Sequence, residues 1–319
     1  MTTVSLDRTN LAAALFALAG VMCFSVNDFG FKFLSDRYAL HQIVFVRSCI
    51  GLIALFICVP VFFGNFPVLR TRRPVMHLLR GLCVVFANMC MFLGLAALPI
   101  ADATAVFFVS PLVITVFSVI FLREAVGLRR WGAVAVGFLG VLVIVQPGTA
   151  AFQVAMLLPI GAAVLYATLN ILTRKIGGTE GAITMGFYTQ LTFLVASGLF
   201  GLALGHGAYA GQSHPSLEFL LRPWGRLLPA DYPILLMLGV CSTLGGIFLS
   251  QAYRISNAAF VAPFEYASMP MAIIWGITVF GTWPGQSAWV GIALIVGSGL
   301  FLLWRETQRG RPKPPIYRR

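Results

Sequence analysis

The chain has 319 residues, of which 59% are hydrophobic and only 10% are charged, and its formal net charge is +12. With a mean hydropathy of +0.90, this composition excludes an ordinary soluble domain and is typical of a protein that crosses a membrane many times. The basic residues lie in short connecting segments and in the C-terminal tail. The positive charge therefore indicates orientation in a membrane rather than nucleic-acid binding.

Ten apolar segments of spanning length follow a short polar N-terminus. We place them at residues 11–34, 42–63, 75–98, 101–122, 130–146, 153–173, 182–204, 232–253, 256–280 and 286–304. Gly and Pro separate several of them, as at Pro99, Pro147 and Pro284. The chain is therefore predicted to be an all-α polytopic membrane protein with ten transmembrane helices.

The long connection at residues 205–231 has a turn-rich first half, and a second half, Leu217 to Leu228, that carries two arginines. We predict this second half either as a short interfacial helix or as an unstructured loop. The six cysteines fall within apolar segments and form no CxxC pair, so they are predicted to be free thiols.

Lys and Arg are distributed very unequally between the two sides of the predicted spans. If the N-terminus is cytoplasmic, sixteen of the 22 lie on the cytoplasmic side and three lie outside. The remaining three, Lys32, Arg47 and Arg80, fall within spans. This asymmetry predicts that both termini are cytoplasmic and that the number of spans is even.

The two halves of the chain resemble each other. Residues 120–124 align with residues 279–283 and Trp131 with Trp289, and the offset of 158 between the tryptophans places Pro111 one position from Pro270. Five spans in each half is an odd number, so the second copy must be inverted in the membrane. Inverted repeats with discontinuous helices at mid-depth are typical of transporters. We expect a first repeat at 1–148, a second at 149–304 and a basic cytoplasmic tail at 305–319.

An acidic residue, Glu265, lies deep within the ninth predicted span. It is about 9 residues from the start of that run, or roughly 14 Å along a helix, which is near the middle of a hydrocarbon core about 30 Å thick. Pro263 removes a backbone donor and crowds the carbonyl of Ala259, so the helix is predicted to kink or break there. Glu265 is then either a protonated structural partner in a kinked helix or a group facing a polar cavity.

Other polar residues within the spans are supporting candidates. Asp28 and Lys32 lie four residues apart on one helix face and can pair. Arg47 can either extend its head to the interface or pair with Asp28 or Asp102, and Arg80 is predicted to extend to the cytoplasmic interface. Arg123 and Glu124 close the fourth span and are predicted to join neighbouring helices. The substrate-contact candidates beside Glu265 are Asn27, Asp28, Asn88, Asn170 and Tyr266; the structural or gating candidates are Pro263, Pro111, Arg123, Glu124 and Arg47.

Several stretches resemble a known family of membrane proteins. They are Ala101-Asp102-Ala103-Thr104-Ala105, Ser110-Pro111-Leu112, Leu122-Arg123-Glu124, residues 137–141, Ala262-Pro263-Phe264-Glu265-Tyr266, residues 280–284 and residues 297–300. Together they resemble the two five-helix EamA repeats of the drug/metabolite transporter superfamily, over residues 11–306. The resemblance implies a basket of ten helices around a central cavity, in a bacterial cytoplasmic membrane.

The function expected from the residues and the resemblance is secondary transport of a small organic metabolite by alternating access, with proton coupling or exchange. The resemblance is closest to carriers of S-adenosylmethionine and riboflavin, and an exporter of amino acids or related metabolites is the alternative. An intramembrane enzyme acting on a lipid-linked substrate would need a nucleophile or metal cluster at depth, and P-loop, HExxH and GxSxG motifs are missing. The expected partners are the substrate and the bilayer, without a cofactor, metal or nucleic acid; the oligomeric state is not specified.

Overall fold

The computed structural model describes residues 8–63, 70–122, 127–149, 153–176, 179–256 and 261–309, and the regular structure of these residues is entirely helical. The first six helices are α1 Arg8–Leu34, α2 Leu40–Phe63, α3 Pro74–Ala97, α4 Ile100–Phe107, α5 Ser110–Leu122 and α6 Leu128–Val145. The others are α7 Leu157–Ile176, α8 Ala182–Leu204, α9 Pro215–Leu221, α10 Tyr232–Ile255, α11 Ser268–Thr278 and α12 Gln286–Arg309. Short 3₁₀ segments lie at Val154–Met156, Pro229–Asp231 and Ala262–Ala267.

Seven helical stretches of the described chain are long and apolar enough to cross a membrane. They are Thr9–Leu34, Leu40–Ile57, Pro74–Ala97, Ile100–Phe121, Val154–Ile176, Ala182–Leu204 and Pro229–Ile255. Shorter apolar helices lie at Trp131–Val145 and Gln286–Phe301. The predicted class, an all-helical polytopic membrane protein, is confirmed, whereas the count of ten spans stays a prediction.

The fourth predicted span is not one continuous helix, which corrects the prediction from hydropathy. α4 ends at Phe107 and α5 begins at Ser110, with Pro111 in its first turn. A proline at this position has no N–H to donate, and its ring excludes the carbonyl of Phe107 from helical geometry. Hydropathy does not detect such a break because the residues on both sides of it are apolar.

The ninth predicted span is irregular where Pro263 predicted irregularity. Pro263 lies in the first turn of the 3₁₀ segment Ala262–Ala267, which interrupts the helix between Val261 and the start of α11 at Ser268. Residues 257–260, including Ala259, lie outside the described residues. Glu265 is therefore presented by a tight 3₁₀ backbone rather than by a continuous α-helix.

Helices from the two halves of the chain pack against each other throughout the bundle. α1 lies along α10, α3 along α7, and α2 against α8 and α10. α6 lies along α12, where a Cβ on Gly140 would come 2.8 Å from the Gly291 carbonyl oxygen and one on Gly137 would come 2.9 Å from Ser298 Oγ. The earlier residue of α6, Gly137, contacts the later residue of α12, and the later one, Gly140, contacts the earlier one. The two helices are therefore antiparallel.

The long connection between α8 and α10 is ordered and lies across the end of the bundle. Its helix, α9, begins at Pro215 and ends at Leu221, so the helix predicted at 217–228 is shorter and lies earlier in the chain. Ser216 Oγ donates to the Leu93 carbonyl over 2.7 Å. Farther along, the Gln42 amide exchanges two hydrogen bonds with the Gly225 backbone, of 2.6 and 3.1 Å. The connection therefore ties α8 and α10 to α2 and α3.

Candidate functional site

A central cavity of about 170 Å³ lies between the helices of both halves. Five of the six predicted substrate-contact residues line it: Asn27, Asp28, Asn88, Asn170 and Glu265. They come from α1, α3, α7 and the 3₁₀ segment before α11, so the fold brings together residues up to 238 positions apart in the sequence. Phe24, Phe92, Phe107 and Phe193 add aromatic walls to the same cavity.

Glu265 is buried at the wall of the cavity, with 5% of its surface exposed. The Tyr166 hydroxyl of α7 donates to Oε2 over 3.2 Å, and the Tyr253 hydroxyl of α10 donates to Oε1. Each carboxyl oxygen therefore has a hydroxyl donor, which is an arrangement that favours a charged or proton-sharing carboxyl group at a buried position. Neither Tyr166 nor Tyr253 is among the site residues predicted from the sequence, because a tyrosine within an apolar span carries no signal that separates a polar contact from packing.

Tyr266, the sixth candidate, does not line this cavity. Its ring packs 5.3 Å from that of Phe108 and directly over Gly299 of α12. Its hydroxyl is buried and has no hydrogen-bond partner among the described residues. Successive residues of a 3₁₀ segment point in directions about a third of a turn apart, so Glu265 and Tyr266 face different neighbours.

Arg47 is almost completely buried, with 1% of its surface exposed, and it also lines the cavity. Its guanidinium lies over three aromatic rings, at 4.5 Å from the centroid of Phe193, 5.2 Å from Phe31 and 5.9 Å from Phe92. Nη1 makes one long hydrogen bond, of 3.4 Å, to Oδ1 of Asn27. Of the two alternatives for Arg47, extension to the interface is wrong, because the side chain is buried within the bundle.

Arg80 is also buried and lines the cavity, so its predicted extension to the cytoplasmic interface is wrong. Nε donates to Thr173 over 2.7 Å, and Nη1 donates to Thr189 over 2.9 Å and to the Met185 carbonyl over 3.1 Å. Nη2 donates to Ser250 over 3.3 Å. This guanidinium therefore joins α3 to α7, α8 and α10, and each of its nitrogens has an acceptor.

Asp28 and Lys32 do not form the predicted ion pair. Lys32 Nζ instead donates to the Leu95 and Leu98 carbonyl oxygens, over 2.6 and 2.7 Å, at the C-terminal end of α3. These carbonyls lack partners within the helix, and the helix dipole favours a cation there. Asp28 faces the cavity and lies within electrostatic reach of Arg47.

Two of the three candidate asparagines each donate to a carbonyl one turn earlier on their own helix. Asn88 Nδ2 donates to Val84 over 3.0 Å and Asn170 Nδ2 donates to Tyr166 over 3.0 Å. Asp102 lies in the first turn of α4, as predicted. Arg123 and Glu124 lie outside the described residues, so their predicted structural role stays a prediction.

The cavity has the chemistry of a binding site for a small organic molecule. It combines a buried acid with two hydroxyl donors, a buried guanidinium, several neutral polar groups and aromatic walls. Ligand sites in helical bundles are typically concave and largely apolar, with a few polar groups that fix the orientation of the ligand. The fold and the cavity define a polytopic membrane protein that encloses a partly polar, partly aromatic cavity.

Comparisons with known proteins identify the class. The EamA-like transporter family matches residues 11–146. A riboflavin transporter of Rhizobium johnstonii is 30% identical over 243 residues, which cover 76% of this chain and 74% of that protein. The chain belongs to the EamA-like transporter family, as the motif resemblance indicated.

Other relatives match nearly the whole chain. A riboflavin transporter of Vibrio cholerae is 29% identical over 97% of this chain and 98% of its own length. An S-adenosylmethionine uptake transporter of Rickettsia felis is 29% identical over 94% of this chain and 95% of its own length. A solved crystal structure of 16% identity aligns with a TM-score of 0.68 over 94% of this chain and 99% of that one, which supports the fold.

Proposed function

We propose that this protein is a secondary transporter that moves a small organic metabolite across the bacterial cytoplasmic membrane by alternating access. The position of Glu265 carries the proposal. A buried carboxyl group that accepts from Tyr166 and Tyr253 at the wall of a central cavity can exchange a proton for a cationic or donor group of a substrate. Proton coupling or exchange would then follow from competition between the proton and the substrate for one carboxyl group.

The pairing of the helices supports two inverted repeats of five spans. In such a repeat, α1 corresponds to α7, α2 to α8, α3 to α10 and α6 to α12. Exchanging each helix for its counterpart converts the α1–α10 pair into the α7–α3 pair. The same exchange converts α2–α10 into α8–α3, and each of these pairs is in contact. The two discontinuous spans also restart alike, since α5 and α11 both begin with Ser and have Pro in the first turn.

The substrate class is proposed from the relatives together with the cavity. Riboflavin and S-adenosylmethionine both carry a flat heteroaromatic ring and several polar groups, and the aromatic walls and polar lining of this cavity suit such molecules. We propose a substrate of that kind, taken up from outside. Export of amino acids or related metabolites is the alternative, and the direction of measured flux decides between the two.

Flux in proteoliposomes tests the role of Glu265. Glu265→Gln keeps the shape of the side chain but cannot take up or release a proton, so transport should fall at least tenfold and lose its pH dependence. Glu265→Asp should retain part of the activity. The matched control is Asp36→Asn, at an exposed acid outside the cavity, which should transport as the wild type does. Wild-type flux from equal amounts of Glu265→Gln would refute the assignment, leaving Glu265 as a structural hydrogen-bond partner.

The orientation of the chain is proposed from the distribution of its basic residues. Reporters fused after Arg319, within residues 70–73 and near Arg174 should be cytoplasmic, and a reporter at Ser213 should be external. An external C-terminus would eliminate the ten-span arrangement and, with it, the inverted repeat.

A further inference from the structure

Two arginines line the central cavity, and their hydrogen bonding is very different. All three nitrogens of Arg80 have acceptors, supplied by Thr173, Thr189, Ser250 and the Met185 carbonyl. Arg47 is more deeply buried, yet its Nε and Nη2 have no hydrogen-bond partner among the described residues. Burying a guanidinium without hydrogen-bond acceptors destabilises the folded protein by several kcal/mol. The stability of the fold therefore does not explain why an arginine stands at this position.

The surroundings of Arg47 hold the cation in place without using its donors. Three phenylalanine rings, from Phe31, Phe92 and Phe193, lie within 6 Å of the guanidinium carbon and stabilise the charge. In the part of the chain that the structure describes, Asp28 is the acid within electrostatic reach, but no ion pair of 4 Å or less joins the two side chains. Two of the three guanidinium nitrogens therefore remain unpaired beside the cavity.

We infer that Arg47 is the recognition site for an anionic group, a carboxylate or a phosphate, on the transported metabolite. The planar fork of a guanidinium matches both groups, because it can donate two parallel hydrogen bonds to their oxygens. The inference rests on the proposed transport function, which it deepens by naming a charge that the substrate must carry. A substrate that bound Arg47 and Glu265 together would have an anionic group at one end and a cationic or donor group at the other.

Pairs of probes that differ in one charge test this inference. The first pair is S-adenosylhomocysteine and its methyl ester, which differ only in the carboxylate. The second is riboflavin and riboflavin 5′-phosphate, which differ in the phosphate. The unfolding midpoint of the purified protein is measured at increasing probe concentrations, and its rise gives the dissociation constant of each probe. The ratio of the two dissociation constants within a pair does not depend on the fraction of protein that is active.

The wild type should bind the anionic member of at least one pair about 10-fold to 100-fold more tightly, the range expected for hydrogen bonds to a charged group. Preference in the first pair assigns a carboxylate site, and preference in the second assigns a phosphate site. Arg47→Gln should bring that ratio close to one, whereas Arg47→Lys should retain part of it. Arg254→Gln, at an exposed arginine of α10 outside the cavity, is the matched control and should leave the ratio unchanged.

Equal or weaker binding of both anionic members by the wild type would overturn the inference, as would an unchanged ratio in folded Arg47→Gln. If Arg47→Gln does not fold, Asp28→Asn gives the second measurement. Removing the negative charge near Arg47 should raise the preference for the anion, and an unchanged or lower ratio would count against the site. Binding needs no flux, so a wild type that discriminates but transports nothing refutes the proposed function, whereas transport without discrimination refutes the inference.

Discussion

The Tyr166 hydroxyl lies 3.2 Å from Oε2 of Glu265 and donates a hydrogen bond to it. This bond joins the middle of α7 to the 3₁₀ segment that precedes α11, and Tyr253 adds a second link from α10. A conformational change that separates these three elements must break bonds to the carboxyl group. The protonation and substrate contact that we propose for Glu265 would thereby be connected to helix movement.

Removing either hydroxyl should reduce transport while leaving Glu265 in place. Tyr166→Phe and Tyr253→Phe each leave one carboxyl oxygen without its donor, at a cost of about 1.5–3 kcal/mol if the carboxyl group is charged. The transport rate in proteoliposomes should fall about tenfold or more. Tyr209→Phe, at an exposed tyrosine of the 205–231 connection, is the matched control and should be indistinguishable from the wild type. Unchanged flux in both cavity variants would show that the two hydroxyls are not needed.

The glycine contact between α6 and α12 should be intolerant of a methyl group. Alanine at position 140 would place its Cβ 2.8 Å from the Gly291 carbonyl oxygen, so the helices must separate, at a cost of about 1–3 kcal/mol. Thermal unfolding in detergent should show a lower midpoint for Gly140→Ala. Gly132→Ala lies on the same helix with nothing within 4 Å of its new Cβ, and it should stabilise by up to about 1 kcal/mol through helix propensity. A midpoint for Gly140→Ala that equals or exceeds that of Gly132→Ala would contradict the close packing.

Two contacts to the buried Asp231 allow a comparison between a buried hydrogen bond and an ion pair with a half-exposed arginine. The buried Tyr38 hydroxyl donates to Asp231 over 2.7 Å and accepts from the Leu228 N–H over 2.9 Å. Arg37 pairs with the same carboxylate over 3.0 Å, but half of its side chain is exposed. Tyr38→Phe should destabilise by about 1–3 kcal/mol because it leaves buried groups unpaired. Arg37→Gln should cost at most about 1 kcal/mol. The order of the two unfolding midpoints checks the prediction, and the reverse order would rule it out.

The connection between α8 and α10 should loosen in acid. The backbone N–H groups of Gln212 and Gly211 donate to Glu218 and, with Arg222, hold the pKa of its carboxyl group below the ordinary value of 4.5. Because the folded pKa is lowered, the stabilisation is fully present above 4.5 and is lost as the pH falls through the lowered value. Trp224 fluorescence should report this loosening in the wild type. The Glu218→Gln variant should lack this acid-dependent change in fluorescence. If the variant still showed the change, a group other than Glu218 would be responsible for it.

Hydropathy and proline placement predicted the approximate positions of the helices and the irregular backbone at Pro263, because both depend on local sequence. They did not predict Arg80, since depth along a helix does not specify which way a side chain points around it. Arg80 faces acceptors on three other helices, and only tertiary packing brings these together. The sequence predicted a pair between Lys32 and Asp28 because they are neighbours on one helix. It does not show that the carbonyl groups at the end of α3, which have no partner within that helix, lie close to Lys32. Tyr253 could not be found, because a tyrosine in an apolar span is usually a packing residue.

The antiparallel contact of α6 with α12 constrains where the molecule can bend. Helices whose backbones meet at Gly140 and Gly291 have no side-chain layer between them to absorb sliding or rotation. We expect the two halves to rotate relative to each other about an axis through this contact. The change in backbone angle would then occur at the helix interruptions, at residues 108–109 and before Ser268. Distances between spin labels across α6 and α12 should stay nearly constant on substrate addition. Those between the 205–231 connection and the α1–α2 turn should change most, which would make the glycine contact the fixed hinge line of the transport cycle.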